Sequence, residues 1–155
     1  MAVFVLDKRK RPLMPCSERR ARILLERGRA RVHRMHPFTI RLVDRLLEDS
    51  VLQPLRIKLD PGSKTTGVAI VRDVVNNLLD RKQHVLHLSE LYHRGQLIAK
   101  NLKSRGDKRR RRRYHLWYRP CRFNNRTKPK GWLAPSLQHR VDTTISLFNR
   151  YRKLA

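Results

Sequence analysis

Acidic residues are scarce in this chain of 155 residues, and they are scarcest where basic residues are most numerous. The chain has 12 Asp and Glu against 38 Lys and Arg, which gives a formal net charge of +26. Residues 92–155 contain 19 of the basic residues and only two acidic ones, Asp107 and Asp142. A chain with so large an excess of positive charge repels itself and attracts polyanions, so we expect a nucleic acid as its partner.

Cysteines and long apolar runs are also scarce. Cys16 and Cys121 stand alone, without a second Cys or a His at the spacing of a zinc site, and isolated cysteines are compatible with a reducing compartment. No run approaches the roughly 18 apolar residues of a membrane-spanning helix. Basic residues follow the apolar start of the chain, which is the reverse of a secretory signal. We therefore expect a cytoplasmic protein that has no membrane partner and no structural zinc site.

The first fifty residues are predicted to form a small β-α-β-β unit, followed by a linker over residues 50–54. A strand over residues 2–7 precedes a basic turn, and residues 12–17 lead into a helix that Ser17 caps and Gly28 ends. Two strands, over residues 30–35 and 38–44, complete the unit.

A second unit begins after the linker with a strand in which apolar and charged residues alternate up to Asp60. This alternation predicts one buried face and an acid near the strand end. Pro61-Gly62-Ser63 predicts a tight turn. Residues 67–71 and 84–91 predict two more strands, separated by a loop through Asn76-Asn77. A strand ending in Asp, a tight turn and a return strand are typical of the start of an RNase H-like nuclease fold, so we predict a mixed α/β (α+β) fold class.

The segment from Arg94 to Pro120 is predicted to be one long helix, weakened at Gly106. It lacks strand alternation, and proline stops a helix. Successive residues on a helix point about 100° apart, so the side chains of Arg109–Arg113 project all round it. All of these arginines can be used only if a polyanion surrounds the helix on several sides. The alternative interpretation is a solvated or nuclear-targeting charge run.

The remaining residues are predicted to form a basic loop and a final amphipathic helix. The loop carries two aromatic residues, Phe123 and Trp132, among basic ones. This composition suits phosphate contacts and base stacking, and it suits anchoring of the loop equally well. Ser136 is predicted to cap the final helix. One face of that helix, which requires a partner, consists of Leu137, Val141, Ile145 and Phe148.

Several motifs, in this order, resemble the amino-terminal part of IscB, a family of transposon-associated RNA-guided DNA endonucleases that carry the RRXRR domain. They are PLMP at 12–15, LDPGSKTTG at 59–67, HRGQLI at 93–98, the arginine run, and GWLAPSLQHRVDTT at 131–144. The resemblance covers essentially the whole chain. It implies a PLMP-type domain over residues 1–54, the first segment of a RuvC nuclease over 55–93, an arginine-rich bridge helix over 94–120, and a basic loop with an amphipathic helix over 121–155.

The same resemblance implies the partners and the site residues. The partners would be a guide RNA and a target DNA, and the cofactor would be Mg²⁺ in a completed RuvC site. Asp60 would be the first catalytic, metal-binding aspartate. The residues that we assign to RNA binding are Arg105, Arg109, Arg110, Arg111, Arg112, Arg113, Arg119 and Trp132.

The other acidic residues are too few for a complete nuclease site. Hydrolysis by two metal ions requires several carboxylates around ions about 3.5–4 Å apart. Asp60 supplies one, although its carboxylate could instead accept hydrogen bonds from the amides of the following turn. Asp73 and Asp80 lie in or near a predicted loop, and Glu90 ends a predicted strand without a motif around it. We interpret the histidines as surface or RNA-facing residues; they are His84, His87, His93 and His115.

Three functions remain open at this point. The first is the guide-RNA-binding amino-terminal part of an IscB-like nuclease, incomplete for cleavage alone. It would come from a truncated gene or act with a separately encoded remainder of the nuclease. The second is a non-catalytic RNA-binding protein derived from such a nuclease. The third, a self-contained RNase H-like nuclease, is disfavoured because too few acids converge.

Overall fold

The computed structural model describes residues 2–77, 80–120, 122 and 127–155, with side chains described except at 75–81. Two β-sheets and three helices in these residues confirm the mixed α/β (α+β) fold class. The first sheet contains β1 (Val3–Leu6), β2 (Pro12–Cys16), β3 (Ala30–Arg34) and β4 (Thr39–Leu42), with helix α1 (Glu18–Glu26) between β2 and β3. The second sheet contains β5 (Leu55–Pro61), β6 (Thr65–Asn77) and β7 (Asp80–Tyr92), and it precedes helices α2 (Gly95–Tyr114) and α3 (Pro135–Arg152).

The first unit has one strand more than predicted. Residues 12–16 form β2, which pairs antiparallel with β1, so the order is β-β-α-β-β and the β-α-β-β prediction is wrong. Two prolines concealed this strand. Proline lacks a backbone N–H and is tolerated at the edge of a sheet, which is where β2 lies in the order β2-β1-β4-β3.

Helix α1 begins and ends where the sequence predicts. The Ser17 hydroxyl accepts a hydrogen bond from the backbone N–H of Arg20 at 3.4 Å, which satisfies one of the free amides of the first turn. Gly28 follows the helix with a φ of 67°, a left-handed conformation that glycine adopts without the steric cost of a Cβ.

The second sheet is an antiparallel meander in the order β5-β6-β7. The predicted loop through Asn76-Asn77 is wrong, because β6 continues to Asn77, which pairs with Asp80 at the start of β7. Asp73 therefore lies within β6 and not in a loop. The valines at 74 and 75 favour strand, and long cross-strand pairing outweighs the turn tendency of the two asparagines.

One apolar cluster joins the two sheets to the end of α3. It contains Phe4 and Leu6 of β1, Ile70 of β6, and Tyr151 and Leu154. The face of α3 that was predicted to require a partner is a different one, and its four apolar residues stay partly exposed. The predicted Ser136 cap is wrong as well. Ala134 is the N-cap and Pro135 occupies the first turn, a position that proline favours because its missing N–H is not needed there.

Helix α2 runs without interruption through Gly106, so the predicted weakness at that residue is wrong. It ends at Tyr114, well before Pro120, where the backbone N–H of His115 donates to the carbonyl of Arg111. Among the helices of the described residues, none has the length and apolar composition needed to cross a membrane.

His87 lies in the packed junction between β7 and α3, so its interpretation as a surface residue is wrong. Its Nε2 atom is 3.0 Å from the Tyr151 hydroxyl, which in turn donates to the Ser89 hydroxyl at 2.8 Å. The His87 ring packs against the ring of Phe4 at a centroid distance of 5.2 Å. Burial lowers the pKa of His87 below its ordinary value of 6.5, because a charged imidazolium is poorly solvated there.

We expect acidification to destabilise the protein through His87. The unfolded chain takes up the proton at pH values where the folded chain does not. The free energy of unfolding should therefore fall as the pH drops below 6.5 toward the lowered folded pKa. Urea unfolding at about pH 7 and about pH 5 measures this loss. His87→Gln should remove part of it, whereas His33→Gln, at an exposed site, should leave it unchanged. Equal pH dependence in all three proteins would contradict the role of His87.

Candidate nucleic-acid interface and carboxylate row

Helix α2 presents basic side chains on all sides. Its 20 residues include nine Lys or Arg and one acidic residue, Asp107, and Gly95 is its only buried residue. Arg105 and Arg109–Arg112 are exposed and form no salt bridge with any described residue, while Arg113 is half-buried. Like charges one turn apart repel each other, so the helix carries an electrostatic cost that a bound polyanion would remove.

The start of α2 is fixed to both β6 and α3. The backbone N–H of His93 donates to the carbonyl of Lys64, and the His93 Nε2 atom is 2.7 Å from the Thr66 hydroxyl. Gly95 meets α3 so closely that a Cβ there would lie 3.0 Å from the carbonyl oxygen of Ser136. Burial and the nearby Arg140 charge lower the pKa of His93. Like His87, His93 is thus a packed residue, which corrects its interpretation as surface-facing.

The residues after α2 carry aromatic groups beside cations. The Arg119 guanidinium carbon lies 5.8 Å from the ring centroid of Tyr118. The Lys128 ammonium lies 4.1 Å from the ring centroid of Trp132, within the range of a cation–π interaction. Phe123 and Cys121 lie outside the described residues. Trp117, which was not among the predicted site residues, is the most exposed aromatic side chain described, at 93%.

Asp60 lies in a row of directly paired residues across the second sheet. It pairs with Gly67 of β6, and Gly67 pairs with Glu90 of β7, so both carboxylates lie on the same face. Gly67 has no side chain to separate them. This face is opposite to the one through which Ile57 and Ile70 reach the core.

The carboxylate of Asp60 is exposed and has no hydrogen bond or salt bridge with another described residue. The amides of the following turn do not donate to it, because β5 continues through Pro61 and keeps Asp60 in the strand ladder. Asp60 therefore does not cap the turn that follows it, which was the alternative interpretation of this residue.

Two other described acids of the second sheet, Asp73 and Glu90, have partners within the protein. Asp73 forms a salt bridge with Arg56 at 3.0 Å and accepts a hydrogen bond from Gln83. Glu90 accepts a hydrogen bond from the Tyr92 hydroxyl at 3.0 Å, and this bond and the negative charge raise the pKa of Tyr92. The sequence did not identify Glu90 as a site residue, because no motif surrounds it. Its position in the row of Asp60 follows only from the register of the strands.

The donor set suits part of a magnesium site. Carboxylate oxygens are the ligands that Mg²⁺ prefers, and Asp60 and Glu90 offer them on one face of the sheet, on either side of Gly67. Within the ranges that the structure describes, no group of three or more His, Cys, Asp or Glu is arranged to hold a metal ion. The structure thus brings the arginines together on α2 and places Asp60 separately, on the second sheet.

Comparison with known families gives one match. A family model described as RRXRR protein matches residues 3–155. Arg109–Arg113 satisfies the pattern that this name spells. A search of curated proteins found no match.

Proposed function

Because this chain belongs to the RRXRR protein family, whose domain is found in IscB-type nucleases, we propose that it is the guide-RNA-binding amino-terminal part of an IscB-like RNA-guided DNA endonuclease. Residues 1–54 would then be the PLMP-type domain, 55–93 the first RuvC segment, 94–120 the bridge helix, and 121–155 a basic loop with an amphipathic helix. In such enzymes the guide reads the target DNA by base pairing, and the protein contacts backbone and shape.

The observation that carries this proposal is the exposure of the arginines around α2. The guanidinium groups of Arg105 and Arg109–Arg112 form no salt bridge with a carboxylate of the described residues. A planar guanidinium binds phosphate through two parallel hydrogen bonds. Folded RNA can present phosphates to several sides of one helix, whereas a flat anionic surface can neutralise only one side. We propose that Arg105 and Arg109–Arg113 contact guide-RNA phosphates, with Arg119 and Trp132 as further contacts.

Asp60 would supply one carboxylate to a RuvC site, and Glu90, on the same face of the sheet, would supply a second. Mg²⁺ bound there would activate water and stabilise the leaving oxygen. Asp60 would orient the metal ion from near the end of β5, where its carboxylate forms no salt bridge with a described residue. Two carboxylates are fewer than two-metal hydrolysis needs. We therefore propose that these residues do not cleave DNA unaided and that the other carboxylates belong to a separate part of the nuclease.

The second candidate function is a non-catalytic RNA-binding protein. The small number of acids around Asp60 favours it, because exposed arginines on α2 would bind RNA whether or not a nuclease site is completed. Cleavage by the chain together with the remainder of such a nuclease distinguishes the two functions.

Salt dependence of RNA binding tests the proposal. If Arg105 and the five arginines of the run each contact a phosphate, the logarithm of the association constant should fall with the logarithm of salt concentration with a slope of about −4 to −5. Fluorescence anisotropy of a labelled stem-loop RNA measures this slope. A flat salt profile, or affinity no greater than for a neutral polymer, would contradict the assignment of α2.

A further inference from the structure

We propose that Trp117 and Tyr118 form a stacking site for unpaired nucleobases, placed directly after the arginine-rich end of α2. This proposal rests on the proposed function, because it takes the RNA to be bound along α2. It adds a second kind of contact, to bases, which neither the family match nor the arginine run assigns.

The backbone after α2 directs these aromatic rings outward. The helix ends at Tyr114, Leu116 is half-buried, and the chain then bends through residues 117–119. The Trp117 side chain is 93% exposed and that of Tyr118 is 64% exposed. Leu116 is thus half-buried, and the two larger rings that follow it contact water.

The exposure of Trp117 is unusual for its residue type. Tryptophan is highly buried on average, because its ring gains the most from leaving water. Trp117 meets Tyr118 edge to face, with ring centroids 6.0 Å apart and an interplanar angle of 86°. An edge-to-face pair leaves a broad ring face uncovered. That uncovered face can accept a flat ring.

The positive charge around Trp117 and Tyr118 indicates which kind of flat ring would bind there. Five arginines precede Trp117, Arg119 follows it, and no acidic residue lies between Asp107 and Asp142. The Arg119 guanidinium is 5.8 Å from the Tyr118 ring centroid, so a cation already borders the pair. RNA offers phosphates to the arginines and bases to the rings within one ligand. The bases must be unpaired, because bases inside a duplex are stacked on each other.

Trp132, in the same region, differs from Trp117 in having a cation over its ring. The Lys128 ammonium lies over its ring at 4.1 Å, so one ring face has a partner before any RNA binds. Trp117 has no such cation over it among the described residues. We therefore assign the principal stacking contact to Trp117.

The experiment uses the full chain with Trp132→Phe, which makes Trp117 the single tryptophan. A stem-loop RNA with a single-stranded adenosine tail is compared with the same stem-loop without the tail. The tailed RNA should quench Trp117 fluorescence strongly and the untailed RNA weakly. In the same background, Trp117→Ala should weaken binding of the tailed RNA about tenfold, and Trp117→Phe should restore most of that loss. The salt slope should be the same in all variants, because stacking displaces no counterions.

The outcomes separate this proposal from the proposed function. Unchanged affinity of Trp117→Ala for the tailed RNA, with a steep salt slope retained, would overturn the stacking site and leave RNA binding by α2 intact. Loss of self-association in Trp117→Ala without a change in RNA affinity would overturn it too, and would assign the rings to a protein contact. Absence of RNA binding by every variant would overturn both proposals. Tyr118→Ala, with helix content checked by circular dichroism, provides a second test that does not change Trp117.

Discussion

Replacing Arg109–Arg113 by glutamine will flatten the salt dependence of RNA binding and remove most of the affinity at low salt. Five phosphate contacts contribute about 3.5–4.5 to the slope. Between 50 and 200 mM salt, the unmodified chain should therefore lose on the order of 10²–10³ more affinity than the variant. Glutamine forms helix nearly as well as arginine, so α2 should persist and the change should report charge alone.

A charge-matched variant controls for the net charge of the chain. It removes five exposed arginines from the first unit, none of which forms a salt bridge with a described residue: Arg19, Arg27, Arg31, Arg34 and Arg45. If position on α2 matters, this variant should keep most of the slope. Equal flattening in the two variants would show that total charge, and not the helix, attracts the RNA.

Under the proposed function, Asp60→Asn will abolish Mg²⁺-dependent DNA cleavage by a nuclease assembled from this chain, a guide RNA and the parts that supply the other carboxylates. Asparagine keeps the shape of the side chain but has no negative charge to hold the metal ion. Changes to groups that merely orient metal ligands cost about 10–100-fold, so loss of a direct carboxylate should cost more. RNA affinity should stay the same, since Asp60 lies on the second sheet and not on α2.

Asp73→Asn is the matched control, because Asp73 lies on the same face of the sheet but is held by Arg56 and Gln83. It should leave cleavage unchanged. A readout on the chain alone is the broadening of the Gly67 amide signal by Mn²⁺, which should disappear in Asp60→Asn. Cleavage that survived Asp60→Asn would remove Asp60 from the catalytic residues.

The sequence pattern correctly predicted those elements that depend on interactions between neighbouring residues. Helix α1 begins at its Ser17 cap and ends at Gly28, because both effects depend on backbone conformation within a few residues. Strand β5 ends at Pro61, so Asp60 lies near its end, as the alternation of apolar and charged residues predicted. Prolines in β2 and asparagines at the end of β6 misled the prediction, because the pairing partners that override such local signals lie elsewhere in the chain.

Some residues of the candidate sites could be predicted from the sequence, and others could be identified only in the structure. The arginine run can be read directly from the sequence, and a helix through it makes the arginines project all round. Glu90 and Trp117 could not be identified in this manner. Glu90 joins the row of Asp60 only through the register of β5, β6 and β7, and the exposure of Trp117 depends on what fails to pack over it.

The sequence alone determined the basic character of the chain, its mixed fold class and the helical nature of the arginine segment, because charge and short-range periodicity are properties of consecutive residues. Tertiary structure decided that Asp60 lies opposite Gly67 without a salt bridge to a described residue, that His87 and His93 are packed, and that α3 uses Tyr151 and not its more regular apolar face to reach the core. These outcomes depend on contacts between residues that are far apart in the chain. The energies of such contacts cannot be predicted from the pattern of neighbouring residues.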